Sequence, residues 1–383
     1  MKQALTIRVE QCLAHAGRGD PPACWHYDLV IDARTPSEFA QDHIPGSVNW
    51  PVLDDEERAW IGTMYKLEGS FKAKREGAIL VARNIASLLE KHGKVLDQQA
   101  RLLVYCWRGG NRSGALSTVL SRIGFRTEVL EGGYKAYRRW VIDHSRERVQ
   151  QFQLCVIAGR TGSGKTDLLQ HLEALGEQVI DLEALAKHRG SLLGAEPGEC
   201  QPSQKLFESA LWLKLSRFDE KRPIWLESES RKIGQLQIPE PLIEAMRESM
   251  HYQLDAPIDI RREYLLEHYQ HWIESPAKLD FMLQKIKLFI SGESFSRLES
   301  SLREKRMADF VHHLLECHYD PLYDRSMAKN YRYNKRSVEI HCLSSTALSM
   351  KASEIIENQR QQDDLDRSLP KREHEGILHI DQP

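Results

Sequence analysis

Residues 152–166 read FQLCVIAGRTGSGKT, an apolar run that passes directly into a glycine-rich turn. The turn, residues 159–166, matches the phosphate-binding P-loop pattern at every fixed position. Apolar side chains at helical spacing follow in residues 165–175. A strand, a glycine-rich turn and a helix in this order form the phosphate site of P-loop proteins. The stretch therefore predicts an α/β domain that binds a phosphate group.

The residues of this turn indicate how the phosphate is held. Glycines allow successive backbone N–H groups to point into one concavity, and the N-terminus of the following helix adds positive potential. We expect Lys165 to reach the terminal phosphate and the Thr166 hydroxyl to reach magnesium where that ion is used. The predicted binding residues of the loop are Gly159, Gly162, Gly164, Lys165 and Thr166.

P-loop proteins usually hold a carboxylate at the end of another strand, where it organises magnesium and water. Asp181 follows a short apolar run at 178–180, and Glu227 follows the run at 223–226. Both residues are therefore candidates for this role, and Glu229 is a third. These residues leave open which phosphate compound occupies the loop.

The first 145 residues alternate short apolar runs with amphipathic stretches. Runs at 25–34, 101–106 and 127–130 predict strands, and apolar residues at helical spacing occur at 78–92 and 113–123. Strands that alternate with helices imply a parallel sheet covered on both faces. We therefore expect a separate α/β domain before the P-loop domain.

The pattern of predicted elements divides the chain into four parts. They are an α/β domain at 1–145, a P-loop α/β domain at 146–240, a helical region at 241–357 and a polar tail at 358–383. Strand signals stop near Pro239, and periods near 3.6 residues dominate beyond it. We expect the helical region to complete the P-loop domain and to contact a partner.

The overall composition excludes several classes of protein. With 383 residues, 41% hydrophobic side chains and a formal charge of −2, the chain is neither disordered nor fibrous. Apolar runs such as 102–107 are far shorter than the roughly 18 residues of a membrane span, and no signal peptide is visible. Seven scattered cysteines predict neither a disulfide scaffold nor a structural metal site. We expect a cytoplasmic protein without a membrane partner.

A second reactive site is predicted at residues 106–113, CWRGGNRS. Cys106 closes an apolar strand, a glycine-containing loop follows, and a helix begins near Ser113. The loop amides, the helix N-terminus and the side chains of Arg108 and Arg112 all favour a thiolate over a thiol. We therefore predict Cys106, Arg108 and Arg112 as catalytic residues, whereas Cys155 fits a buried structural role.

Three further segments resemble a rhodanese domain. Residues 32–39 (DARTPSEF) and 43–49 (HIPGSVN) resemble the opening of that fold, and residues 131–134 (EGGY) resemble its closing turn. The resemblance implies a rhodanese-like parallel-sheet domain and places Cys106 where rhodaneses carry a persulfide. Five residues separate Cys106 from Arg112, as in cysteine-based phosphatases, whereas simple rhodaneses usually have four. The longer loop suits a bulkier tetrahedral anion.

A rhodanese-like domain followed by a P-loop domain resembles the tRNA 2-selenouridine synthase family. The similarity includes the segments LAKHRGSLLG (185–194) and ESESRKIG (227–234). The resemblance implies an enzyme that replaces the sulfur of wobble 2-thiouridine with selenium from selenophosphate, and it makes Cys106 the acceptor of that selenium. It also implies that the sulfur is first geranylated, which makes it a better leaving group. Geranyl diphosphate is then the expected occupant of the P-loop, and ATP is the competing one.

The same resemblance suggests residues that surround the substrates. A cleft shared with the P-loop is expected to include His188, Arg189 and Ser191. An apolar slot for the geranyl chain has Trp107, Trp212 and Trp225 as candidates, although tryptophan is more often part of a core.

The implied tRNA partner directs attention to basic segments that contain aromatic residues. Residues 325–336 contain five basic residues and two tyrosines without an acidic residue. Basic side chains neutralise phosphates, and tyrosines stack on unpaired bases. Residues 134–140 (YKAYRRW) are a second candidate beside Cys106.

Two other interpretations remain open at this point. One is a cysteine-dependent phosphatase with a nucleotide-binding regulatory domain, which needs a general acid such as Asp54 or Asp55. The other is an RNA-binding module whose rhodanese-like domain has no catalytic role. The intact Cys106 argues against this second interpretation.

Overall fold

The structure is a computed structural model that describes residues 5–14, 27–190, 200–268, 276–330 and 335–368. The described residues fall into two compact units. The first lies within 1–156, 180–250 and 330–334, and the second lies within 157–179, 251–329 and 335–383. The division of the chain into four sequence regions stays a prediction.

Most strands belong to two five-stranded sheets, and the expected α/β class is confirmed. The strands are β1 (Leu5–Ile7), β2 (Leu29–Asp32), β3 (Val48–Asn49), β4 (Arg101–Tyr105), β5 (Arg126–Leu130), β6 (Leu154–Gly159), β7 (Gln178–Ile180), β8 (Ile224–Glu227), β9 (Lys232–Ile233), β10 (Leu236–Gln237), β11 (Met250–Asp255) and β12 (Lys335–Glu339). The first sheet has the order β1-β5-β4-β2-β3, and the second has the order β12-β11-β6-β8-β7. Strands β9 and β10 form a separate antiparallel pair.

Helices connect these strands and fill most of the region after β11. They comprise Val9–Ala14, Pro36–Gln41, Asp55–Leu67, Ser70–His92, Asn111–Ile123, Gly133–Val149, Lys165–Ala174, Leu182–Ala186, Gln204–Arg217, Glu240–Glu248, Ile258–His268, Pro276–Ile286, Gly292–Arg303, Met307–Leu314, Asp320–Asn330 and Ser345–Ser368, with short helical turns at Gly93–Val95, Lys287–Phe289 and Leu315–Tyr319. None of the helices in the described part of the chain is both long and apolar enough to cross a membrane.

The first sheet is parallel throughout and has apolar residues on both faces. Strand β4 pairs with β2 on one side and with β5 on the other. Leu102 and Val104 pack into one core with Leu116 of the following helix. Leu103 and Tyr105 pack into a second core on the opposite face. Burial of both faces explains why strand β4 reads as a continuous apolar run.

The region beyond Pro239 is mainly helical, but it also contains two strands that gave no signal in the sequence. Strand β11 pairs in parallel with β12, so that Leu254 lies opposite Val338. The sequence gives no strand signal here because both strands contain many polar residues: β11 reads MHYQLD and β12 reads KRSVE. Only Val338 is buried within β12, so no apolar period marks this strand.

Residues 178–185 (QVIDLEAL) read as one strand candidate in the sequence, and this candidate is too long. Strand β7 ends at Ile180, and a helix begins at Leu182. The Asp181 carboxylate ends the strand because it accepts a hydrogen bond from the Ala184 N–H at 2.7 Å and so caps this helix.

Candidate active site

Cys106 lies directly after strand β4, at the start of the loop that leads into the helix Asn111–Ile123. Cys106 is only 4% exposed, yet its sulfur atom has polar partners. The Ser113 hydroxyl donates a hydrogen bond to Sγ over 3.2 Å. Burial raises the pKa of the Cys106 thiol, but the Ser113 hydroxyl and the backbone N–H groups of Ser113, Arg108 and Gly110 lower it more, so the net pKa falls below the usual value. The loop therefore favours a thiolate.

Replacement of Ser113 by alanine should raise the pKa of Cys106. The variant loses a hydrogen bond to a charged sulfur, an interaction worth about 1.5–3 kcal/mol. Thiolate absorbance, measured as the difference between each chain and its Cys106→Ser form, should appear at higher pH in Ser113→Ala than in the natural chain. Ser117→Ala is the matched control, since Ser117 is buried on the same helix and bonds Gly114 instead. Identical titrations for both variants would contradict this account of the loop.

The turn at 131–134 is hydrogen-bonded to the start of the cysteine loop. The Tyr134 N–H donates to the Cys106 carbonyl oxygen at 2.8 Å, and the Lys135 N–H donates to the Trp107 carbonyl oxygen at 3.0 Å. Gly133 has φ +57°, and a Cβ atom there would lie 2.2 Å from the Cys106 carbonyl oxygen. Glycine is therefore required by both the backbone conformation and the close approach of the two loops.

The two predicted arginines of the loop have different surroundings. Arg112 forms a two-pronged ion pair with Glu38, whose Oε1 lies 3.1 Å from Nη2. Glu38 also accepts the Thr35 N–H at 3.0 Å, so it ties the cysteine loop to the start of the helix Pro36–Gln41. Although burial opposes it, this pairing with Arg112 lowers the pKa of Glu38. Arg108, by contrast, is exposed.

A buried polar network lies beneath the same loop. Arg34 pairs with Asp32 at 2.6 Å, and both side chains are almost completely buried. The Arg34 guanidinium lies 4.0 Å from the centre of the Tyr134 ring. The Tyr134 hydroxyl donates to Asp42 at 2.6 Å, and the Ser209 hydroxyl donates to the same carboxylate oxygen at 3.2 Å. These contacts hold the turn and the loop in a fixed arrangement.

Both acids considered for a phosphatase mechanism have structural roles. Asp54 caps the helix Asp55–Leu67 by accepting the Glu57 N–H at 2.7 Å. Asp55 accepts hydrogen bonds from the hydroxyl and backbone N–H of Ser37, and the hydroxyl contact lowers the pKa of the Asp55 carboxyl. A lowered pKa is the opposite of what a general acid needs.

The P-loop follows strand β6 as predicted, and the helix Lys165–Ala174 begins with the loop's lysine and threonine. Lys165 Nζ donates to the Gly159 carbonyl oxygen at 2.9 Å. Gly162 and Gly164 have φ +79° and +76°. A Cβ atom on Gly164 would lie 2.6 Å from Leu343 Cδ2, so packing as well as conformation requires glycine there.

Two arginine–aspartate ion pairs, one buried and one exposed, lie at the P-loop. The Arg261 guanidinium is 2% exposed, pairs with Asp320 at 2.7 Å, and donates to the Thr161 carbonyl oxygen at 3.2 Å. Arg160 of the loop pairs with Asp324 at 2.8 Å. Two ion pairs thus position the turn that precedes Lys165.

The candidate carboxylates differ in their availability. Asp181 is the helix cap described above. Glu227 is 1% exposed, and its Oε1 accepts the Glu183 N–H at 2.8 Å. Its Oε2 has no hydrogen-bond partner among the described residues. Burial, and then the nearby charges of Asp181, Glu183 and Glu229, raise the pKa of Glu227 well above its usual value.

A magnesium ion would therefore find one unpartnered carboxylate oxygen at Glu227. The described residues contain no group of three or more His, Cys, Asp or Glu side chains arranged to hold a metal. A site that used Glu227 would take its remaining oxygen ligands from water and phosphate, which is usual for magnesium. The magnesium prediction stays a prediction.

Several other predicted residues also have definite positions. Trp225 and Trp212 are buried in the core, at 1% and 4% exposure, whereas Trp107 is 36% exposed. His188 donates its backbone N–H to the Glu183 carbonyl oxygen at 3.0 Å. Ser191 lies outside the described residues, as do residues 331–334 of the basic segment.

The described ends of that basic segment contact their own unit. Arg325 donates to the Pro321 carbonyl oxygen at 2.9 Å, and Arg336 donates to Gln362 at 2.7 Å. These two arginines are therefore partly occupied by the fold itself.

Sequence reasoning missed the roles of Ser113, Glu38 and Arg34. Ser113 was identified only as the start of a helix, although its position in the loop motif was a signal. Glu38 lies 74 residues from Arg112 in the chain, so only the folded structure shows their pairing. Both Glu38 and Arg34 do lie within the DARTPSEF segment that suggested the fold.

The fold and the site together define a class of protein: a rhodanese-like domain with a thiolate-favouring cysteine loop, joined in one chain to a P-loop α/β domain. Comparison with protein families agrees with this class. The model for the tRNA 2-selenouridine synthase AAA domain matches residues 152–345, and the model for the rhodanese-like domain matches residues 13–139.

Named relatives extend the match over most of the chain. The tRNA 2-selenouridine synthase of Sulfurovum sp. (strain NBC37-1) is 31% identical over 343 residues, which cover 81% of this chain and 93% of that protein. The synthase of the same name from Marinobacter nauticus is 32% identical and covers 78% and 88%. That from Nitrosomonas europaea is 37% identical and covers 63% of each chain. The chain belongs to the tRNA 2-selenouridine synthase family.

Proposed function

We propose that the chain replaces the sulfur of wobble 2-thiouridine in tRNA with selenium. The names of its relatives supply the reaction, and one observation in this chain carries the proposal. The Cys106 sulfur is held by the Ser113 hydroxyl and by loop amides that lower its pKa. A thiolate at the end of a parallel strand, in a loop rich in N–H donors, is suited to react with an anionic selenium donor.

Selenophosphate is the donor that this loop fits. It is a tetrahedral anion, and the backbone N–H groups of Arg108, Gly110 and Ser113 converge near Sγ. The exposed Arg108 adds positive charge at the mouth of the loop. Cys106 is the residue that reacts with this donor.

Geranyl diphosphate is the compound proposed for the P-loop, where it alkylates the thiouridine sulfur. Departure of diphosphate requires neutralisation of two phosphate groups. Lys165, the loop N–H groups and the N-terminus of the helix Lys165–Ala174 supply positive charge there. ATP is the competing occupant.

A phosphatase is the second candidate, and the site favours it less. Asp54 caps a helix, and Asp55 bonds Ser37 and has a lowered pKa. Hydrolysis of an ordinary phosphate ester needs a general acid with a raised pKa, and the pKa of Asp55 is shifted the other way.

A cleft of about 260 Å³ beside the cysteine loop is the proposed contact for tRNA. Its lining consists of Trp107, Tyr134, Lys135, Arg138, Arg139, Ile142, Asp143 and Lys205. Arg138 is paired with Glu208, whereas Lys135 and Arg139 are exposed. An exposed indole next to cationic side chains suits a stacked base with its phosphates.

Trp107→Ala should weaken binding of a fluorescent anticodon stem-loop about tenfold, since it removes one stacking partner. Lys135→Ala and Arg139→Ala should each lower the slope of log affinity against log salt concentration by about one. Anisotropy titrations of the full chain measure both effects. Trp60→Ala and Lys74→Ala are the controls, because both residues are exposed on neighbouring helices of the same unit. If all three cleft variants bind the stem-loop as the natural chain does, the cleft is not part of the surface that contacts tRNA.

The function itself is tested by mass spectrometry of wobble nucleosides. A stem-loop with 2-thiouridine is incubated with the chain and with geranyl diphosphate, selenophosphate, or both. The proposal expects S-geranyl-2-thiouridine with the first compound and 2-selenouridine only with both. Hydrolysis of an aryl phosphate without any change in the nucleoside would instead establish the phosphatase.

A further inference from the structure

The cysteine loop is built to receive a phosphoryl group, and we propose that the Cys106 sulfur takes the phosphoryl group, not the selenium, from selenophosphate. The thiolate attacks phosphorus, an S–P bond forms, and the P–Se bond breaks. Its electron pair leaves with selenium as hydrogen selenide. This inference rests on the proposed function and changes the expectation that the sulfur itself accepts selenium.

Electron balance favours this direction of attack. Neither selenium nor phosphorus changes oxidation state when a thiolate displaces selenide from phosphorus. Formation of an S–Se bond with loss of orthophosphate would remove two electrons from the reactants and would require an oxidant. Hydrogen selenide then attacks C2 of the S-geranylated base, the C–Se bond forms, and geranylthiolate leaves. The product selenium has the same oxidation state as the donor.

The loop geometry matches this chemistry. The N–H groups of Arg108, Gly110 and Ser113 point toward Sγ. In this position they would donate hydrogen bonds to the oxygens of a phosphoryl group bound to that sulfur. The five-residue spacing between Cys106 and Arg112 gives the loop room for a tetrahedral group. The ion pair between Arg112 and Glu38 fixes the far end of the loop.

The structural roles of Asp54 and Asp55 fit the same leaving group. An alkoxide must be protonated as it leaves an ordinary phosphate ester, so phosphatases supply an acid. Hydrogen selenide is a much weaker base and leaves as an anion without that help. Asp54 and Asp55, the two acids considered for this role, are engaged in helix capping and in hydrogen bonds to Ser37.

Ser113 has a specific task in completing the cycle. Water attacks phosphorus, the S–P bond breaks, orthophosphate leaves, and a proton of the water passes to solvent. The departing Cys106 thiolate is stabilised by the Ser113 hydroxyl, which lies 3.2 Å from Sγ. Loss of that hydroxyl should slow the second step more than the first, because the thiolate is the leaving group only in the second.

The test uses the full chain with selenophosphate alone, without RNA, air or added reductant. We expect one equivalent of hydrogen selenide per chain in a rapid phase. A phosphoryl group should appear on the peptide that contains Cys106 after acid quenching. In Ser113→Ala this adduct should decay at least about fivefold more slowly than in the natural chain, because the departing thiolate has lost a hydrogen bond. Cys200→Ser, which changes an exposed cysteine outside the loop, should behave as the natural chain.

The possible outcomes separate this inference from the proposed function. A Cys106 peptide heavier by selenium, without free selenide, overturns the phosphoryl step and leaves the function intact. Selenium transfer to RNA without any phosphoryl adduct in Ser113→Ala also overturns the step alone. Failure of both adduct formation and RNA selenation overturns the two proposals together.

Discussion

Cys106→Ala is expected to abolish selenium incorporation into tRNA while it leaves geranylation of the thiouridine largely intact. Removal of a reacting nucleophile usually costs about a thousandfold or more in rate. We propose geranylation for the P-loop, whose residues this variant leaves unchanged, so geranylation should persist. Nucleoside mass spectrometry should therefore show S-geranyl-2-thiouridine accumulating in the variant reaction.

The control for this variant is another cysteine. Cys200 is exposed and lies outside the loop, and Cys200→Ser should retain full selenium transfer. Cys155 is not a suitable control, because it is completely buried in strand β6 and its replacement would disturb the core. Selenium transfer at the natural rate by Cys106→Ala would rule out the cysteine loop as the reactive site.

Lys165→Ala is expected to impair geranylation about a hundredfold or more, since it removes the principal cation of the P-loop. Loss of one preorganised group that stabilises a leaving anion typically costs that much. The lysine bonds the Gly159 carbonyl oxygen at 2.9 Å, so its ammonium group lies within the loop. Calorimetric titration with geranyl diphosphate should show weaker binding, and the rate of nucleoside alkylation should fall in parallel.

Lys351→Ala is the matched control for this effect. Lys351 lies on the helix Ser345–Ser368 and pairs with Glu354 at 2.7 Å, an ion pair on the surface of the same unit. Its loss should leave geranylation unchanged. An equal decrease in the geranylation rate of both variants would show that the rate depends on the overall charge of the unit and not on the P-loop lysine.

The parts of the fold that the sequence predicts well are those with local signals. Strands β4 and β6 read as continuous apolar runs because both of their faces are buried. The P-loop and the cysteine loop were found because their glycines and reactive residues occur at fixed spacing. Each of these signals lies within about fifteen residues of the chain.

The missed features depend on contacts that are distant in the chain. Strand β12 has one buried residue, and its pairing with β11 joins segments about eighty residues apart. The pairing of Arg112 with Glu38 joins residues 74 positions apart in the chain, and the catalytic role of Arg112 stays a prediction. The lowered pKa of Cys106 depends on Ser113, whose hydroxyl reaches the sulfur only because the loop folds back on itself. No periodicity in the sequence reports such contacts.

A substrate that is already geranylated shows directly whether the cysteine loop alone carries out the selenium step. An anticodon stem-loop with S-geranyl-2-thiouridine is given to Lys165→Ala and to Cys106→Ala, each with selenophosphate. We predict that Lys165→Ala forms 2-selenouridine at close to the natural rate and that Cys106→Ala forms none. Formation of 2-selenouridine by Cys106→Ala, or its absence with Lys165→Ala, would contradict the assignment of selenium chemistry to the cysteine loop alone.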